Sequence, residues 1–184
     1  MKSMGIFALL LVISAVSSEA VVAQETSSNA KTLSATLVSA AEIQANLNGA
    51  PDAATNPSPN VRVIDAGGYN LAVGVIHRRE TPPGVAAVHH KVTEVYHVTD
   101  GSGTLVTGGT MVDAKERPAD STSVKLEDGP GASGTSIRGG IAQHIKTGDV
   151  VIIPAGAPHW FSKIDGSITY IVVRFDPNRL LALK

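Results

Sequence analysis

Between Val61 and Phe175 glycine and proline cut the sequence into apolar runs too short for the helices of a bundle. The runs are rich in valine, isoleucine and threonine. They read as strands over Val61–Asp65, Asn70–Arg78, Val85–His90, Glu94–Thr99, Gly103–Thr107, Val150–Ile153, His159–Lys163 and Ser167–Phe175. Turn signals lie between them at Gly67-Gly68, Pro82-Pro83-Gly84, Asp100-Gly101, Pro154 to Pro158, and Asp165-Gly166. The last is the strongest hairpin signal in the chain. Many short strands at this spacing predict an all-β sandwich or barrel, and an apolar content of 43% supplies its core.

The N-terminus reads as an address rather than as part of that fold. Lys2 precedes an uncharged stretch from Ser3 to Ser18, too short to span a bilayer and the right length for a secretory signal. Cleavage is expected after Ala23, which predicts a periplasmic or secreted protein with no stable membrane anchor once cut. Residues 24–60 form an extension with one short helix over Ser39–Leu47, where Ser39 and Glu42 make a capping-box pattern and Asn48-Gly49 a stop. Pro51, Pro57 and Pro59 then mark a linker. The main domain covers residues 61–184. Within it, residues 111–140 are rich in Ser, Gly, Asp and Lys and read as a surface insertion, so that deleting residues 112–133 is expected to leave a folded barrel.

Several chemistries are excluded at this level. The chain has no cysteine, so disulfides, thiolate metal sites and a cysteine nucleophile are absent. Its formal charge is −1 and its longest basic run is Arg78-Arg79, which argues against a nucleic-acid partner. Ser121–Ser123 has no G-x-S-x-G setting, and no Lys-Ser/Thr follows Gly108-Gly109 to make a phosphate loop.

The candidate ligands fall in two stretches, His89 to Gly101 and Gly148 to His159. Imidazole and carboxylate together suit a first-row divalent metal. The second stretch carries Gly148, Pro154, Gly156 and His159 at the spacing of the second cupin motif, departing only at its last position, where Lys163 stands for asparagine. The first carries Glu94 and Gly101 at the spacing of the first cupin motif. On these residues the chain resembles the cupin superfamily.

The resemblance implies a double-stranded β-helix, or jelly-roll, barrel. It also implies one divalent metal ion (Fe, Mn, Zn or Ni) held by His89 or His90, Glu94 and His159. That is one histidine fewer than the family's set, because the motif's first histidine falls on Ala87 or Val88. Strand alternation lets only one of His89 and His90 face inward, and His89 is favoured. By the same alternation His97 faces out and Trp160 faces away from His159, while His77 and His144 sit near strand ends. Tyr96, Trp160 and Phe161 read as core rather than as a substrate platform. Arg78 is either a solvated strand end or an inward clamp for a substrate carboxylate.

The function expected is a metal-binding cupin that acts on, or binds, a small organic molecule such as an acid or a sugar. Oxygenase, isomerase and decarboxylase chemistry all remain open, and Glu94 is the candidate proton shuttle if no metal binds. The competing expectation is a non-catalytic periplasmic module that binds or senses a small ligand without metal. The barrel could also pair as a homodimer.

Overall fold

The computed structural model describes residues 34–49, 60–79 and 85–184. The expected signal segment, the prolines of the linker and the Pro82-Pro83-Gly84 turn lie outside these residues. Helix α1 spans Ala40–Gly49. Ser39 caps it as expected: the Glu42 amide donates to Ser39 Oγ (3.2 Å) and the Ser39 amide donates to Glu42 Oε2 (2.9 Å). Glu42 also pairs with Arg62 at the start of β1 (Arg62–Asp65), which ties the helix to the sheet.

The barrel is organised around one long antiparallel ribbon. Strand β4 (Thr93–Thr107) pairs with β11 (His159–Asp176) from Phe175↔Thr93 at one end to His159↔Thr107 at the other. Strand β2 (Asn70–Arg79) lies along the far half of β11 and carries β1 on its outer edge. The other edge of β4 carries β9 (Ile141–Lys146) over its second half and β10 (Val150–Ile153) over its first. Strand β3 (Ala86–His89) meets β11 at Ala87↔His159 and is flanked by β7 (Gly131–Gly134), then by β6 (Lys115–Glu116). A separate ribbon pairs β5 (Thr110–Val112) with β8 (Ser136–Arg138).

Two expected turns are not turns. Asp100-Gly101 and Asp165-Gly166 lie inside β4 and β11, and the halves on either side do not pair with each other. The ribbon instead folds there through register shifts, with Ile164 opposite Gly103 and Ile168 opposite Gly101. Gly101 has φ 75°, and a Cβ on it would lie 2.0 Å from the Ser167 carbonyl oxygen, so only glycine fits the bend. Folding the ribbon brings its halves face to face. Tyr96 from the first half of β4 and Leu105 from the second share one core cluster with Ile76, Ile153, Tyr170 and Val172. Each such side chain contributes roughly 1.5–3 kcal/mol on burial.

Residues 111–140 are not a surface excursion. They supply β5, β7 and β8, and bury Val124, Ala132 and Ile137. A single π-turn, Ser123–Glu127, is tied to the C-terminus by the Ala182 amide donating to the Lys125 carbonyl (3.0 Å). The segment shows no apolar run because its strand β7 is Gly-Ala-Ser-Gly. A Cβ on Gly131 would come within 2.0 Å of the Val88 carbonyl oxygen, and this wall has room for nothing larger. The architecture is an all-β jelly-roll barrel with one short N-terminal helix.

Candidate metal centre

His89 ends β3, Glu94 lies one residue into β4, and His159 opens β11. His159 pairs with the far end of β4, so it reaches Glu94 only because the ribbon folds over on itself. Both imidazole Nε2 atoms stand 3.4 Å from Glu94 Oε2. One donor atom from each of the three residues lies within 4.8 Å of the others, and all three side chains are buried. The group could hold an ion.

His90 does not belong to it. Alternation turns His90 outward, where its Nε2 contacts Glu116 at 3.0 Å in solvent. His97 is exposed as expected. His77 bonds Thr169 (2.8 Å) and His144 bonds Asp165 (2.9 Å), so neither supplies a fourth ligand. Ala87, with the same parity as His89, stands where the motif would place its first histidine.

A layer of polar groups that motif reasoning missed fixes these side chains. Arg174 lies opposite Glu94 in the β4–β11 pairing, and its Nε donates to Glu94 Oε1 at 2.9 Å. Its Nη1 donates to Asn60 Oδ1 (2.6 Å), and its Nη2 pairs with Asp128 Oδ1 (2.9 Å) just beyond the π-turn. Tyr96 donates its hydroxyl to Glu94 Oε2 at 2.9 Å. Arg117 faces His89 Nδ1 at 3.4 Å and Asp128 at 4.0 Å. One signal for Arg174 was present in sequence: it shares the inward parity of Tyr170 and Val172, where a cation needs a buried partner. Asn60, Arg117 and Asp128 carried none.

The electrostatics follow from these contacts. Burial alone would raise the Glu94 carboxyl, but attraction from His89, Arg174 and His159 outweighs it and holds the pKa well below the carboxylate range. Burial, reinforced by the charge on Glu94, pushes the Tyr96 phenol well up, so Tyr96 stays a donor. Burial depresses His159 to about 4 against the pull of Glu94, which leaves a neutral ring at ordinary pH.

The donor set fits a divalent ion: one carboxylate and two imidazoles, buried and convergent. His159 fits best. Its Nδ1–H donates to the Ala157 carbonyl (3.2 Å), which leaves the Nε2 lone pair aimed at the cluster. His89 fits with one adjustment. Arginine is donor-only, so its contact asks Nδ1 to accept and leaves the ring proton on Nε2, pointing at Glu94. Binding through His89 Nε2 moves that proton to Nδ1 and gives up the contact. Arg117 keeps Ser133 Oγ and the Ala132 carbonyl, each at 3.3 Å.

Beside the cluster a small cavity of about 40 Å³ opens to solvent. His159 is shared between the two. Ala87, Tyr96, Trp160 and Tyr170 line the cavity together with Arg78, which points inward and donates its Nε to the Tyr170 hydroxyl (3.0 Å). Trp160 also packs against the core cluster of Ala86, Val106 and Ile137.

No family model matches the sequence, and no curated protein matches it. Similar folds occur among solved structures. BH2720 from Bacillus halodurans is 12% identical, with 79% of this chain and 89% of that chain covered and a TM-score of 0.42. A structure described as giving insight into the mechanism of oxalate oxidase is 18% identical over 71% and 57% of the respective chains, with a TM-score of 0.38. The Drosophila melanogaster CENP-C cupin domain is 11% identical over 66% and 76%, with a TM-score of 0.36. The folded β4–β11 ribbon and the inner-wall placement of Glu94 and His159 are this chain's own, and they make it a jelly-roll barrel with a buried His-Glu-His group.

Proposed function

We propose that this chain is an exported, metal-binding cupin that acts on a small organic molecule inside the barrel. The observation that carries the reading is the convergence of His89, Glu94 and His159 donor atoms within 4.8 Å in a buried site, next to an open cavity. Buried imidazole and carboxylate groups at this spacing are costly without a shared cation or proton. A bound divalent ion, Fe, Mn, Zn or Ni, would serve as Lewis acid and template for a ligand. The chain's own residues set the rest. Arg174 occupies Glu94 Oε1 and leaves Oε2 facing the cluster, Tyr96 keeps a hydroxyl proton beside the cavity, and neutral His159 presents a lone pair. The open side of the cluster lies toward Ala87, where the missing histidine would stand. Export rests on the signal pattern of residues 1–23.

A second reading has its own support. The Arg117 contact favours the His89 proton on Nε2, where it bridges to Glu94, and a metal-free cluster is then self-satisfied. The barrel would in that case be a non-catalytic binding module.

Metal content by mass spectrometry decides between the two. The protein is exported by its own signal, purified without chelator and compared with Glu94→Ala/His159→Ala. Near-stoichiometric metal in the native chain, lost in the variant, is expected. A native chain still empty after exchange with Fe, Mn, Zn and Ni would overturn the metal reading in favour of the module. N-terminal sequencing of the same sample tests export, the expected first residue being Gln24.

A further inference from the structure

The cavity beside the cluster is asymmetric in charge. The described residues lining it include two arginines, two tyrosines and one histidine, and no carboxylate. Arg78 is the deepest of its cations. Alternation along β2 places it on the inner side with Ile76, while His77 points the other way to Thr169. Its guanidinium is oriented by Nε donating to Tyr170, which lies on the cavity floor. A hydroxyl that accepts from arginine still has its own proton to donate. Val85, Ala87, Trp160 and Ile164 complete the lining with apolar surface.

We propose that this cavity is a carboxylate site: a small organic acid places its carboxylate on Arg78, held in orientation by the buried Tyr170, and its apolar remainder against Val85, Ala87, Trp160 and Ile164. This deepens the reading above by naming the ligand class, and rests on it for the view that the cavity is the working pocket. Two features select a carboxylate over other anions. The arginine fork matches a planar two-oxygen acceptor, and Val85, Ala87, Trp160 and Ile164 give the acid's carbon chain an apolar contact that phosphate cannot use. The acid would lie against His159, on the side of the cluster that Ala87 leaves open.

Trp160 is the chain's single tryptophan, so its fluorescence reports occupancy of this cavity. The test titrates chelator-stripped protein with straight-chain acids from acetate to hexanoate, with their primary amides, and with inorganic phosphate. Saturable changes with the acids are expected, with the matching amides and phosphate at least tenfold weaker. Arg78→Gln should weaken acid binding at least tenfold, and Lys146→Gln, exposed on β9 and outside the lining, less than threefold. Should Arg78→Gln fail to fold, the acid–amide comparison on the native chain decides. Amides or phosphate binding as tightly as acids, no saturable response to any acid, or binding that appears only after metal loading and survives Arg78→Gln would each overturn the assignment. The two proposals fail separately. Acid binding by a chain that never takes up metal would remove the metal reading and leave this site standing.

Discussion

Replacing Arg174 by methionine tests the most tightly coupled part of the site. The guanidinium makes three buried contacts, to Glu94 Oε1 (2.9 Å), Asn60 Oδ1 (2.6 Å) and Asp128 Oδ1 (2.9 Å). Methionine keeps most of the volume and removes the charge, leaving Glu94 buried without its arginine partner. Breaking a buried pair from one side costs about 3–5 kcal/mol, because the orphaned charge remains in the interior. For a chain of this size that is a fall in Tm of roughly 6–20 °C.

The pH dependence separates this cause from lost packing. In the native chain the depressed Glu94 pKa adds stability above the unfolded carboxylate range, lost as pH falls through the folded value. In Arg174→Met, burial acts on Glu94 with less opposition and its pKa rises. Acidification then neutralises a destabilising charge, so the stability gap between the two chains should narrow from pH 7 to pH 4. Urea denaturation with chelator present measures the gap at each pH. A loss below about 1 kcal/mol, or a gap that does not change with pH, would refute the claim that the charge of Arg174 holds Glu94 in place.

Four further outcomes are expected. Because burial holds folded His159 down to about 4, against 6.5 for a free imidazole, the metal-free chain should lose about 3 kcal/mol between those pH values as the unfolded state takes up the extra proton, and His159→Gln should flatten that part of the stability curve. Gly101→Ala should cost about 3 kcal/mol in denaturant melts, since it sets a Cβ against the Ser167 carbonyl at positive φ. Deleting residues 112–133 should abolish cooperative thermal unfolding, because it removes β6, most of β7 and the Asp128 carboxylate; a sharp transition in that variant would show the barrel closes without them. Arg117→Gln should raise metal affinity about tenfold in competition titrations, since a glutamine oxygen can accept the Nδ1 proton that arginine opposes.

Much of the strand pattern and the facing of the candidate ligands were legible in sequence for a common reason. Period-two alternation lets only one of His89 and His90 face in and sets Glu94 and His97 on opposite faces, but it leaves open which histidine turns inward. What alternation cannot decide is where a strand ends. Asp165-Gly166 has the composition of a hairpin turn, yet Gly166 takes its positive φ (76°) in an irregular stretch of a continuous strand. A residue that permits a turn also permits a bulge, and the partner strand chooses between them. The same limit hid β7, whose glycines are read locally as loop but are required by the closeness of Val88 and Val112.

The groups that set the chemistry were hidden for a different reason. Glu94 is recognisable because a motif surrounds it, but its charge state depends on Arg174, eighty residues away in sequence, and through it on Asn60 and Asp128. These four come from four separate segments: strand register sets Arg174 directly opposite Glu94, and Asn60 and Asp128 close on its guanidinium. The bend at Gly101 faces His159 to Glu94, while plain strand register supplies Arg174 to the same carboxylate. Arg117 then enters from the segment that reads as dispensable, and sets which nitrogen of His89 carries the proton. Whether this barrel holds a metal ion or a hydrogen-bonded proton between His89 and Glu94 is thus decided less by the ligands, which suit both, than by an arginine no motif contains.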